Sequence, residues 1–409
     1  MSTSYLAFCA VGVAVLKEFN TIVEEPYMDE PFHIPQVQAY CRGEFSTWDP
    51  KITTPPGLYI MSLLLKRVFL FKCNIPMLRL TALLSLLALP IALTRLVCYH
   101  KRERPPASIA APVLEATVLA AFPLAWFFGF LYYTDVPSLL FVVATISAAT
   151  EDRHWLAALL GLISCTFRQN NIVWVMYAYA LSQLTYLRFR RATPNSSPAK
   201  LYDPPALHAS GADLFRAACS LLGVVPDIIT SFLPYLFVLT AFGIFIIWNG
   251  GIVLGDKSNH IPAFHIPQLY YFIATATFFG WPALLSGRQG VLSLIHNVWK
   301  RMFGGKIRTM ITFFMLGIMA ITVRLFTIHH PFLLADNRHY TFYLWRKVYM
   351  FHPLVPYLLV PIYLACGWAW FLRVDASPSN SGDTHFAAHA IAGTALFLNP
   401  LCAASGTTA

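Results

Sequence analysis

The chain has 409 residues, of which 57% are hydrophobic and 12% charged, with a mean hydropathy of +0.58. So much apolar surface cannot fold around one water-soluble core, which excludes a soluble globular domain and indicates an all-α polytopic membrane protein. The net charge of +10 would suggest nucleic acid in a soluble protein; here Lys and Arg fall mostly in short segments between apolar runs, where they report topology, and no nucleic-acid partner is expected.

In chain order the apolar runs cover residues 5–19, 57–71, 77–99, 109–131, 136–149, 156–166, 172–187, 228–248, 269–285, 310–328 and 354–372. Several are near the roughly 20 residues needed to cross about 30 Å of hydrocarbon. The first is read as an uncleaved signal anchor, because Lys17 and Glu18 follow it with no small-residue cleavage pattern. The basic segments 100–106, 188–200 and 286–308 are placed in the cytosol, which puts the acidic loop after the first run on the lumenal side. The run 57–71 is interrupted by Lys66 and Arg67 and reads as an interfacial or re-entrant helix. Asn195 heads the one N-x-[ST] sequon, on the cytosolic side, and is expected to be unmodified.

This scheme divides the chain into an N-terminal membrane module (1–187), a Pro-, Ser- and Ala-rich flexible cytosolic linker (188–225), a C-terminal membrane module (226–373) and a tail (374–409). The polar segments 20–55, 132–137, 167–171, 249–268 and 329–347 then converge on the lumenal face. No repeat of fixed period is visible.

Seven of the 19 acidic residues lie between Glu18 and Asp49. Asp29 and Glu30 are adjacent, beside Tyr27 and close to His33. With a helix starting at Pro31, His33 stands about one turn from Glu30, so one acid orients the imidazole while the other faces a substrate. A partly dehydrated carboxylate at a membrane interface is suited to take a proton from a hydroxyl nucleophile; the bland alternative is a set of solvated loop acids. Trp48 and Asp49, with neighbouring threonines and a Pro-Pro pair, suit a sugar-binding platform or an interfacial aromatic belt.

Further along, Asp336, Asn337, Arg338, His339 and Tyr340 gather polar and charged groups among aromatics. Arg338 and His339 are candidates to hold a phosphate, and Tyr27, Trp48, Asp49, Asp336, Asn337 and Tyr340 to hold sugar. Arg168 lies between apolar half-segments, so it is either functional, as the next candidate after Arg338 and His339 to hold the donor phosphate, or bonded to a partner such as Asp135. No Gly-rich nucleotide loop is present, and the eight cysteines form no CxxC pair or zinc spacing. A lipid-borne donor fits such a chain, and no metal or other cofactor is expected. Whether Cys41 joins Cys73 stays open.

The blocks "PYMDEPFHIPQVQAYCRGEFSTWDPKITTPPGLY", "FRQNNIVWV", "NGGIVLGDKSNH" followed by "HIPQLYYF", and "LLADNRHYTFYLWRKV" resemble the dolichyl-phosphate-glucose-dependent α-1,2-glucosyltransferases of the endoplasmic reticulum, in order from about residue 5 to about residue 373. The resemblance implies a GT-C membrane fold of about 10 or 11 transmembrane helices, with lumenal loops forming the site. It implies inverting transfer of glucose from dolichyl phosphate-β-glucose to the 2-hydroxyl of the terminal glucose of a diglucosylated lipid-linked oligosaccharide, the last step of N-glycan precursor assembly. The acid acting as base in that superfamily matches Asp29, with Glu30 its neighbour. Family members continue past the position of Arg373 with further helices and a lumenal "FRYF"-like segment, whereas this chain ends in "DASPSNSGDTHFAAHAIAGTALFLNPLCAASGTTA"; the tail is atypical. The rival readings are a transporter or flippase whose interior acids bind protons or substrate, and a non-catalytic membrane partner subunit.

Overall fold

A computed structural model of the chain describes residues 2–70, 72–189, 201–206, 209–257, 265–285, 290–328, 340–375 and 385–402. Helices dominate, and among the described residues the β pairing is limited to an isolated bridge between Pro205 and His385. Five described helices are long and apolar enough to cross a membrane: Thr3–Ile22, Ile75–Lys101, Gly211–Asn249, Lys306–Phe326 and Val355–Arg373. Asp135–Thr150, His154–Phe167 and Phe386–Asn399 are shorter and also apolar. The protein is therefore a multi-pass, all-α membrane protein.

The chain forms two compact units, residues 1–201 with 219–258, and residues 202–218 with 259–409. In the first unit the helices are α1 (Thr3–Ile22), α2 (Glu30–Cys41), α3 (Gly57–Phe69), α4 (Ile75–Lys101), α5 (Leu114–Ala120), α6 (Pro123–Phe128), α7 (Asp135–Thr150), α8 (His154–Phe167) and α9 (Asn171–Phe189), with most of α10 (Gly211–Asn249). Asn74 caps α4, its Oδ1 accepting the Met77 N–H at 3.2 Å. Inside the apolar helices, hydroxyls satisfy themselves on the preceding turn: Ser85 donates to the Thr81 carbonyl, Thr94 to Pro90 and Thr145 to Phe141. Tyr5, Phe8 and Leu16 of α1 pack with Leu83, Leu86 and Leu89 of α4 and with Val136 and Val143 of α7 in one core cluster. Gly161 lets α8 approach α9, since a Cβ there would stand 2.7 Å from Val175.

The 188–225 linker reading needs correction at its second half, where α10 starts at Gly211. Ser210 and Asp213 form a reciprocal cap: the Asp213 N–H donates to Ser210 Oγ, and Asp213 Oδ2 accepts the Ser210 N–H. After that cap, Ala and Leu residues favour the helix, and Pro226 and Pro234 are carried inside it.

In the second unit, helix Pro267–Leu285 packs on helix Val360–Asp375, where Trp370 Nε1 donates to Thr277 Oγ1 at 3.1 Å and Gly280 leaves room for the indole. The tail also contains a helix, Phe386–Cys402. Its first turn is held by the Ala387 N–H, which donates to Asp203 Oδ1 at 2.8 Å.

Candidate functional site

The acidic stretch is pulled into order by an arginine 49 residues further along the chain. Arg79, one turn into α4, is fully buried, as is Glu30. The guanidinium grips the carboxylate in a fork, Nε to Oε1 at 2.9 Å and Nη2 to Oε2 at 2.6 Å. Its other N–H groups donate to Asn20 Oδ1 and to the carbonyls of Val23 and Glu25, and its Cζ lies 4.9 Å from the centre of the Phe19 ring. All five guanidinium donors are used. Glu30 is equally saturated, because Oε2 also accepts the Tyr27 N–H at 2.9 Å and Oε1 the Tyr132 N–H at 2.7 Å. The pair thereby ties together the end of α1, the first turn of α2, α4 and the 129–134 turn.

Glu30 therefore does not orient His33, because its lone pairs are occupied by Arg79 and backbone. His33 Nδ1 instead meets the Tyr59 hydroxyl at 2.6 Å. Burial pushes the His33 imidazole below its ordinary pKa; the nearby charge of Asp29, then that of Asp135, pulls the other way.

Asp29 is the carboxylate of the pair left outside the Arg79 clamp. It precedes α2 as its N-cap residue, and its side chain makes no capping bond. Its N–H donates to the Tyr133 hydroxyl at 2.5 Å. Burial raises the Tyr133 phenol above its ordinary pKa, and the adjacent Asp29 carboxylate adds to the effect. Arg168, in the turn between α8 and α9, donates through Nη2 to Asp135 Oδ2 at 2.8 Å and through Nε to Thr134 Oγ1 at 3.3 Å. Its side chain is nevertheless 40% exposed. Its charge, like those of Asp29 and Asp135, bears on His33. Three separate pieces of chain thus place Asp29, His33, Tyr133, Asp135 and Arg168 in one polar cluster.

The other candidates fall into three groups. Trp48 packs edge-on against Tyr59 at 6.1 Å and donates from Nε1 to the Ile52 carbonyl. Asp49 shapes its own turn, Oδ1 accepting the Lys51 N–H, while the Asp49 N–H donates to the buried Gln36 side chain. Tyr27 contributes its backbone N–H to Glu30. Asp336, Asn337, Arg338 and His339 lie outside the described residues, and Tyr340 begins the short helix Tyr340–Leu344, its own side chain lying outside what the structure describes. Arg79, Tyr59 and Tyr133 are missing from the sequence-based candidates.

Two polar segments that are far apart in sequence meet beside this cluster. The Leu254 N–H donates to the Thr53 carbonyl and the Asp256 N–H to the Pro50 carbonyl. Gly255, at φ +65°, allows the approach, since a Cβ would stand 2.3 Å from the Pro50 oxygen. Gly255→Ala is expected to cost about 1–3 kcal/mol through strain and lost loop contacts, read as an earlier thermal transition of the detergent-solubilised protein.

α2 is fixed at its far end by a disulfide between Cys41 and Cys73, with Cα atoms 6.6 Å apart. Lys66 Nζ donates to the Cys41 carbonyl and Gln38 Nε2 to the Cys73 carbonyl. Both ends of the intervening segment therefore stand together, and its helix α3, with 13 residues, is too short to span a bilayer.

Comparison with known proteins matches residues 23–403 to the DIE2/ALG10 family, a stretch that continues past Arg373 into the tail. A protein of Rattus norvegicus is 36% identical over 90% of this chain and 78% of its own length. One of Homo sapiens is 35% identical over 90% and 78%, and one of Arabidopsis thaliana 33% identical over 86% and 77%. All three are named Dol-P-Glc:Glc(2)Man(9)GlcNAc(2)-PP-Dol alpha-1,2-glucosyltransferase. No solved structure matches the chain. With the match covering most of its length, this chain belongs to the DIE2/ALG10 family.

Proposed function

We propose that the protein is an inverting glucosyltransferase of the endoplasmic reticulum membrane. It moves glucose from dolichyl phosphate-β-glucose to the 2-hydroxyl of the terminal glucose of the diglucosylated lipid-linked oligosaccharide. The observation that carries this reading is an Asp29 carboxylate outside the Arg79 clamp and beside Tyr133, in a chain whose relatives are named for that transfer.

In this reading Asp29 takes the proton of the acceptor hydroxyl as its oxygen attacks the anomeric carbon. The bond from that carbon to the phosphate oxygen breaks, and dolichyl phosphate leaves with the electron pair. Arg168 stabilises the charge on the departing phosphate, with Arg338 and His339 as further candidates. Tyr27, Trp48, Asp49, Asp336, Asn337 and Tyr340 are proposed for the sugars. The chain's own charges serve the transfer, and no metal is proposed for it. The Tyr59 hydroxyl holds His33, which lines the site beside the base.

A lumenal site is supported by the Cys41–Cys73 disulfide, since such bonds persist in oxidising compartments. Glu44, exposed in the same loop, tests the side: Glu44→Asn creates the sequon Asn-Phe-Ser and is expected to acquire a glycan in cells. An unmodified variant would place the loop in the cytosol. The activity is tested in microsomes lacking their own enzyme of this step. Expression of this chain is expected to convert accumulated diglucosylated lipid-linked oligosaccharide to the triglucosylated form; persistent accumulation would reject the proposal.

A further inference from the structure

Asp29 occupies the N-cap of α2, where an aspartate ordinarily turns its carboxylate onto a backbone N–H of the first turn. It does not do so here. An N-cap residue usually has extended backbone, whereas Asp29 lies at φ −94° and ψ −1°, and its side chain makes no capping bond. Pro31 has no N–H to offer, and the Phe32 and His33 N–H groups donate to the Asp29 carbonyl at 3.0 and 3.3 Å. The carboxylate is thereby kept off its own helix.

What holds this conformation comes from the 129–134 turn. Consecutive tyrosines there meet the consecutive acids: the Tyr132 N–H donates to Glu30 Oε1 at 2.7 Å, and the Tyr133 hydroxyl accepts the Asp29 N–H at 2.5 Å. Tyr133 is itself fixed, buried in one cluster with Met28 and Leu131, its ring 5.3 Å from that of Phe128 and 6.1 Å from that of His33. Met28, next to Asp29, has φ +57°, a left-handed backbone that a non-glycine residue keeps only where its surroundings enforce it. Burial, with the Asp29 charge adding to it, raises the Tyr133 phenol. The hydroxyl therefore stays neutral and does not replace Asp29 as the base.

We propose that Tyr133 is a positioning residue of the transfer: by holding the Asp29 N–H, its hydroxyl keeps the carboxylate from capping α2 and leaves it presented to the acceptor hydroxyl. The inference rests on the transfer reaction proposed above. Without the hydroxyl, the main chain at Asp29 relaxes toward the extended conformation of an ordinary N-cap, where the carboxylate takes the Phe32 N–H in place of the carbonyl. Such a cap stabilises the helix and withdraws the base. The hydroxyl thus serves the chemistry at no gain to the fold.

The test compares the full-length parent with Tyr133→Phe, which removes one oxygen and keeps the packed ring. The single-turnover rate is expected to fall by about 10- to 100-fold, the cost of misplacing a reacting group. Donor and acceptor KM should stay within about twofold of the parent, and the thermal transition in detergent at or above the parental one. In the Asp29→Asn background the same change is expected to cost nothing further, because its effect runs through the carboxylate. Parental turnover for Tyr133→Phe would overturn the proposal. So would a thermal transition well below the parental one, or failure to fold, either of which assigns the hydroxyl to the fold, and so would an equal fold-loss with and without the Asp29 carboxylate. A parent protein without transfer would reject the reaction and this inference together. A parent that transfers and an Asp29→Asn variant that does not, beside Tyr133→Phe at the parental rate, would overturn this inference alone.

Discussion

Asp29→Asn is expected to lower glucosyl transfer by roughly 10²- to 10⁴-fold, the usual contribution of a general base, while leaving the protein folded and in the membrane. The substitution keeps size and shape, and the contact that holds this position is the backbone N–H to Tyr133, which asparagine retains. No capping bond of the first turn of α2 is lost, because the Asp29 side chain makes none. The thermal transition and the donor KM should therefore stay close to those of the parent, and the deficit should appear in turnover. Glu30→Gln provides the contrast. It leaves Arg79 with an uncharged partner in a fully buried position and is expected to lower stability before it lowers chemistry. Single-turnover rates beside melting curves for the two variants separate the roles: an Asp29→Asn protein with near-parental rates would remove Asp29 from the mechanism.

Arg79→Ala is expected to destabilise the first unit by about 3–5 kcal/mol, the cost of stranding one partner of a buried ion pair. The cost arises on both sides of the deleted side chain. Glu30 keeps two backbone N–H donors and loses its counter-charge, while Asn20 and the carbonyls of Val23 and Glu25 lose a shared donor. Arg79→Lys is expected to recover only part of the loss, since an ammonium cannot reproduce the fork or its five donors. The check is a thermal transition in detergent, read with the yield of membrane-inserted protein. A parental transition for Arg79→Ala would mean that the pair does not hold the loop.

Much of this arrangement is legible in the sequence, and what is hidden is hidden for physical reasons. The Asp29–Glu30 doublet stands out because acids are scarce in the chain and cluster there. Which of the two faces outward is not written in the doublet, because it depends on a partner 49 residues away. The rule that singles out Arg168, that a guanidinium among apolar residues must be bonded, applies equally to Arg79 and is the signal that would have found it. Tyr133 sits in a segment whose polarity marks it as a loop, but its reach to Asp29 depends on where α4 and α7 place that turn. The start of α10 was also available in Ser210 and Asp213, a capping pair masked by the proline- and serine-rich residues before it.

A single displacement driven by the Asp29 carboxylate is the proposed course of the transfer. It is tested most directly by incubating the purified protein with synthetic dolichyl phosphate-β-glucose and a diglucosylated acceptor, with Asp29→Asn in parallel, and determining the linkage of the product. One added glucose in α-1,2 linkage, formed by the parent and not by the variant, is the predicted result. No transfer by the parent, a β-linked product, or equal transfer by the variant would contradict it.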